Sequence, residues 1–124
     1  MRSNLEQAKE FRKIYNIKSS DSKPVRQYQC DLITEEFNEF IEAEGMLFRD
    51  SDKFKEECLK ELADLVYVCY QYAVNMGWDL DRALDLVHKS NMSKLDEDGK
   101  PIYREDGKIL KGPNYKKPNL HSLI

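Results

Sequence analysis

Five acidic residues limit what this chain can fold into. Glu35, Glu36 and Glu39 are followed by 21 intervening residues and then by Glu61 and Asp64. Written as a pattern, this is E-E-x-x-E, a gap, then E-x-x-D. On helices, Glu35/Glu39 and Glu36/Glu39 fall at i,i+4 and i,i+3, and Glu61/Asp64 at i,i+3, so each group projects from one side. Two facing helices would then direct five carboxylates into one volume. Like charges at such separations repel by roughly 4 kcal/mol per close pair at an effective dielectric near 20. A positive group has to stand among them.

The surrounding residues favour helices. Apolar residues make up 40% of the 124 and charged residues 35%, a mixture suited to strongly amphipathic helices. Leu5, Ala8, Phe11, Ile14 and Tyr15 recur at helical spacing, so a first helix is predicted over 5–15, with Asn4 as its cap. Pro24 starts a second helix reaching about Leu47, with Gly45 placed to bend or end it. Ser51 or Asp52 caps a third helix over about 53–76, stopped by Gly77. That helix is nearly apolar after Asp64, as befits the centre of a bundle or a subunit interface. A fourth helix follows over about 79–93.

Beyond Leu95 the texture changes. Asp98-Gly99 and Asp106-Gly107 are turn dipeptides, and Pro101, Pro113 and Pro118 exclude a long helix. Residues 101–103 and 108–110 are predicted to pair as a short hairpin. Lys94, Lys100, Arg104, Lys108, Lys111, Lys116 and Lys117 make this tail basic. The expectation is an all-α, four-helix-bundle-type chain forming one domain over 1–124, with a helical core over about 4–95 and an irregular basic tail over about 96–124.

Several functions are disfavoured at once. A formal net charge of -3 gives no basis for non-specific nucleic-acid binding. The longest apolar run, Leu65 to Tyr70, is too short to span a bilayer. Met1 to Asn16 is amphipathic and charged, unlike a signal peptide. Cys30, Cys58 and Cys69 are odd in number, lack a C-x-x-C pair and fall on helical stretches, which predicts packed thiols in a reduced, cytoplasmic protein.

The bland interpretation of the acidic residues is a solvated helix face. Asp64 argues against it. It sits between Ala63 and Leu65 with Leu62, Val66 and Val68 nearby, where an unpaired carboxylate is costly. A cation or a basic side chain must answer it. Di-iron bundles want two Glu-x-x-His motifs, whereas the chain offers only Asp85-x-x-His88 and a distant His121. Oxygen-only ligands point to Mg²⁺, with Mn²⁺ as a substitute. Mg²⁺ sites are often completed by substrate phosphates, and lysines neutralise phosphate oxygens. There is no G-x-x-x-x-G-K-[ST] loop. Carboxylates, a metal and lysines together suggest hydrolysis of a phosphoanhydride.

The paired acidic motif resembles that of the all-α NTP pyrophosphatase superfamily, which includes MazG-type proteins, phosphoribosyl-ATP pyrophosphohydrolases and dimeric dUTPases. His88, Asn91-Met92-x-Lys94, Asp98-Gly99-Lys100-Pro101, Asp106-Gly107-Lys108 and Lys111-Gly112-Pro113-x-Tyr115 resemble its phosphoribosyl-ATP-pyrophosphohydrolase-like branch. The likeness covers about Val25 to Leu120. It implies a MazG-like fold and conversion of a (deoxy)nucleoside triphosphate and water to the monophosphate and pyrophosphate. It further implies Mg²⁺ held by Glu36, Glu39, Glu61 and Asp64, with Glu35 as a further ligand or orienting group. The general base would be one of Glu35 and Glu36, Glu36 being preferred. Asn91 and Lys94 would touch sugar or phosphate, and Lys108, Lys111 and Tyr115 would close over the triphosphate, from the same or a neighbouring subunit. A homodimer or homotetramer is implied. The substrate expectation is a pyrimidine deoxynucleotide such as dUTP or dCTP; broad NTP clean-up, phosphoribosyl-ATP hydrolysis and alarmone-nucleotide hydrolysis are the alternatives within the enzyme class. A non-catalytic helical assembly module is the alternative outside it. Tyr28, two turns before the motif, is a candidate base-stacking residue, although Trp78 is expected to pack structurally.

Overall fold

A computed structural model describes residues 2–124, apart from the side chain of Ser51. It contains four α-helices and a terminal 3-10 turn: α1 (Asn4–Ile14), α2 (Lys23–Arg49), α3 (Ser51–Met76), α4 (Leu80–Met92) and the turn His121–Leu123. The all-α expectation is borne out. Among the described residues the only extended pairing is an isolated antiparallel bridge between Tyr103 and Ile109. The chain divides into two compact units, the first ending at Trp78 and the second running Asp79–Ile124.

In the first unit, α2 and α3 form an antiparallel hairpin, and α1 packs on α3. The helix ends follow local chemistry. Ser3, not Asn4, caps α1: its hydroxyl accepts from the Glu6 amide at 3.1 Å, and the Glu6 carboxylate accepts from the Ser3 amide at 3.3 Å. That reciprocal capping box satisfies two donors that Asn4 would have left open. α2 runs through Gly45 to Arg49, so Gly45 does not end it. A single residue, Asp50, separates α2 from α3. Its backbone N–H closes α2 on the Met46 carbonyl, and its carboxylate caps α3 by accepting from the Lys53 amide at 3.3 Å. The capping role thus falls one residue before the Ser51/Asp52 pair. Gly77 ends α3 in the left-handed conformation, φ 76°, where a Cβ would be strained.

This one-residue hinge fixes the register of the hairpin. Met46 and Phe54, Glu39 and Glu61, Leu32 and Val68, and Gln29 and Gln71 line shared cavities. The members of each pair stand 4, 11, 18 and 21 residues either side of Asp50. The apolar core is small: Ala8, Ala43, Cys58, Tyr70 and Ala73 are its buried members. The packed-thiol expectation holds for buried Cys58 and half-buried Cys69. Cys30 is exposed, because the outer side of α2 carries it.

A buried polar knot ties the three helices together. Arg12 of α1 is 4% exposed. Its guanidinium donates to the side-chain oxygens of Gln29 on α2 and of Gln71 and Asn75 on α3, at 3.5, 3.3 and 3.2 Å. Burial holds this guanidinium below its ordinary value.

In the second unit the tail is strapped to α4. Ser90 Oγ donates to the Lys116 carbonyl at 2.7 Å, and the Lys116 amide donates to Ser93 Oγ at 2.9 Å. Gly112 donates to the Lys94 carbonyl at 3.0 Å, and a Cβ there would fall on the Leu95 carbonyl. The predicted hairpin is reduced to the Tyr103–Ile109 bridge around a turn in which Arg104 grips Asp106 at 2.9 and 2.5 Å.

Candidate metal centre

The hairpin register brings three of the five acidic residues together. Glu36, Glu39 and Glu61 each offer an oxygen within 4.8 Å of the others. Glu61 is 6% exposed, Glu36 is half-buried and Glu39 is exposed. With all three ionised, the buried Oε2 atoms of Glu36 and Glu61 have no hydrogen-bond donor. Such atoms are costly unless a cation or proton answers them. The Glu39 carboxyl is pushed up to about 7, chiefly by the charge of Glu36, then by sharing its proton with Glu36, with burial and Glu61 adding to the effect. In the absence of a metal ion, a proton held near Glu39 relieves the crowding.

The other two acids stand apart from the trio. Glu35 is exposed on α2, one residue round from Glu36. Asp64 is half-buried and is answered by a basic side chain: Lys60 Nζ lies 2.9 Å from Asp64 Oδ2 and 3.4 Å from Glu61 Oε1. Those two carboxylates, Asp64 foremost, raise the Lys60 ammonium above its usual range. Lys60, an exposed side chain, is the cation that inspection of the acids alone overlooks. Its i,i+4 spacing from Asp64 is the signal that could have revealed it.

The donor set is all oxygen, with no histidine or thiolate in the cluster. It therefore fits a hard divalent cation better than a transition metal that prefers nitrogen or sulfur. Two buried oxygens without donors are what such a cation would satisfy.

The tail residues lie in the second unit. Asn91 is exposed and Lys94 half-buried at the end of α4. Lys111 Nζ lies 4.8 Å from the centroid of the Tyr115 ring, a cation–π geometry. Lys108 follows the Arg104–Asp106 turn, and its amide donates to Asp106 at 3.1 Å.

A model of the phosphoribosyl-ATP pyrophosphohydrolase family matches residues 4–91, which include α1 to α3 and nearly all of α4. The chain belongs to that family. Membership makes it a hydrolase acting on nucleotide phosphoanhydride bonds, in a family that typically depends on a divalent metal. The match contains all five acids and Asn91, whereas Lys94, Lys108, Lys111 and Tyr115 lie beyond it. No curated protein matches the chain. Among solved structures, a protein from Exiguobacterium sp. 255-15, provisionally named an NTP pyrophosphohydrolase, is 20% identical and has a TM-score of 0.46; the alignment covers 95% of this chain and 90% of that one. Among the described residues no helix is long and apolar enough to cross a membrane.

Proposed function

We propose that this family member is a Mg²⁺-dependent nucleoside triphosphate pyrophosphohydrolase that acts on a pyrimidine deoxynucleotide such as dUTP or dCTP. The observation carrying the reading is the Glu36–Glu39–Glu61 cluster with its two unsatisfied buried oxygens. Glu36, Glu39 and Glu61 would hold the ion, and Asp64, now paired with Lys60, would be a further ligand. Bound Mg²⁺ supplies charge neutralisation to the triphosphate oxygens. The remaining work falls to the side chains. A carboxylate that gives one oxygen to a cation keeps the other, so Glu36 accepts the proton of the attacking water, with Glu35 beside it orienting that water. Lys60, released from Asp64, becomes available to phosphate. Asn91, Lys94, Lys108, Lys111 and Tyr115 contribute the sugar and phosphate contacts, and the whole chain acts as one domain.

We also infer a homodimer or homotetramer. Leu59, Leu62 and Val66 on one side of α3 are 67%, 42% and 45% exposed. They border an apolar cavity of about 390 Å³ that also reaches Ala8 and Tyr70. A second copy of the chain is the occupant that suits such a surface.

The test is pyrophosphate release from each of the common dNTPs and NTPs, with Mg²⁺ and with EDTA. Mg²⁺-dependent release, fastest for dUTP or dCTP, is expected. No release from any nucleotide would sink the reading for this chain.

A further inference from the structure

We propose that Arg12 is a positioning residue for the metal centre: its buried guanidinium holds α2 and α3 together at the end of their hairpin far from Asp50, and so keeps Glu61 beside Glu36 and Glu39. The inference rests on the hydrolase reading above and names the residue that sets how readily the cluster takes an ion. The two helices are joined covalently at Asp50, and the carboxylates between them repel. Glu61 stands 11 residues past Asp50 and Gln71 stands 21 past it. At the α-helical rise, these lie about 17 and 32 Å from the hinge. A hairpin that swings about Asp50 therefore moves the cluster about half as far as it moves the Gln29–Gln71 layer.

Apolar packing does little to resist that swing. Ala43 and Cys58, the buried apolar residues nearest the cluster, lie on its Asp50 side, where a swing is smallest. At the far end the buried positions are polar: Arg12, Gln29, Gln71 and Asn75 are each no more than 5% exposed. Gln29 on α2 and Gln71 on α3 both accept from the same nitrogen, Nη1 of Arg12. The two helices cannot part there without breaking one of those bonds. Nη2 donates to Asn75 on α3 and to the Lys18 carbonyl. Asn75 is fixed in turn to the connection between α1 and α2, donating to the Ser20 carbonyl at 2.9 Å and accepting from the Ser20 amide at 3.1 Å.

This knot is poorly suited to stability alone. The four hydrogen bonds of the guanidinium all end on neutral oxygens, and its buried Nε–H has no acceptor. A buried charge so held and an unpaired buried donor both cost free energy, whereas apolar side chains of similar volume would fill the space without either. What the planar fork supplies is direction, since its donors stand at fixed angles and define one spacing of α2 and α3. Mg²⁺ demands near-ideal octahedral geometry. A seam held at one spacing offers its carboxylates ready placed, whereas a seam free to part must first close. The apparent affinity then falls by the fraction of molecules that are closed, and saturating ion restores the closed arrangement.

Full-length wild type, Arg12→Met and Gln29→Leu would be titrated with Mn²⁺, the free ion being read by its electron paramagnetic resonance and the folded fraction by circular dichroism. Turnover would be followed against Mg²⁺ concentration. Arg12→Met should bind Mn²⁺ roughly tenfold more weakly per folded molecule, as for a closed arrangement populated about one time in ten. It should need correspondingly more Mg²⁺ for half-maximal turnover, with kcat at saturating Mg²⁺ within about threefold of wild type. Gln29→Leu cuts only the α2 arm of the knot and should fall between the two; it carries the test if Arg12→Met does not fold. Ion affinity within about twofold of wild type in the folded variants would overturn the positioning role, because a residue that only stabilises the fold leaves the closed fraction unchanged. Turnover that added Mg²⁺ fails to restore would overturn it too, and either result would leave the hydrolase reading standing. A wild type that neither binds Mn²⁺ nor hydrolyses any nucleotide would overturn both.

Discussion

Metal affinity should depend on pH in a manner set by three carboxylates. Glu39 is pushed up to about 7, with Glu36 the largest cause. At pH 6 Glu39 therefore keeps most of its proton, and at pH 8 it has lost most of it. A cation needs ionised ligands, so binding expels that proton. Apparent Mg²⁺ or Mn²⁺ affinity should rise roughly tenfold per pH unit up to about pH 7 and level off above it. Isothermal calorimetry in two buffers of different ionisation enthalpy would read the released protons directly. Glu36→Gln removes the leading cause, so the break should move towards the ordinary carboxylate range even as affinity falls. The linkage sign for the metal-free fold follows from the same shift. A carboxyl raised above its unfolded value near 4.5 leaves the folded state binding more protons between those two values. Metal-free stability should therefore decline as pH rises from about 4.5 to about 7. Metal affinity that is flat between about pH 5.5 and 8, with no proton release, would refute the coupled cluster.

Three further outcomes test other parts of the structure. Glu39→Gln and Asp64→Asn should each abolish nucleotide turnover while circular dichroism stays that of the folded protein; near-normal turnover in either would remove that residue from the site. Lys60→Gln deletes the side chain that competes for Asp64 and Glu61, so metal titrations should show tighter binding, and weaker binding would contradict the competition. Gly112→Ala forces a Cβ onto the Leu95 carbonyl and should destabilise the second unit by ~1–3 kcal/mol, read as faster amide exchange across the Ser90–Lys116 strap.

The helices were legible because their signals are local. Pro24 near the start of α2, Gly77 after α3 and Asp79 before α4 each act within one turn of themselves. The cap at Ser3 was missed because Asn4 is also a favoured capping residue, and only the Glu6 side chain reaching back decides between them. The acidic motif carried the site's chemistry, but spacing alone could not rank its members. Three converge and two do not: Glu35 falls one residue round α2 from Glu36, and Asp64 is engaged by Lys60. Arg12 was invisible for a different reason. On a charged amphipathic helix it looks like one more solvated arginine, and its partners Gln29, Gln71 and Asn75 lie 17, 59 and 63 residues away.

The single-residue hinge at Asp50 also constrains how such a chain can change length. Substitutions along the hairpin alter one contact at a time. Inserting one residue beside Asp50 would turn α3 by about 100° relative to α2, carrying Glu61 off the cluster and Gln71 off Arg12 in the same step. Seven residues added to each arm, equally far from Asp50, would restore both alignments. Length variation that preserves the site should therefore come in paired heptads, or fall outside the hairpin altogether.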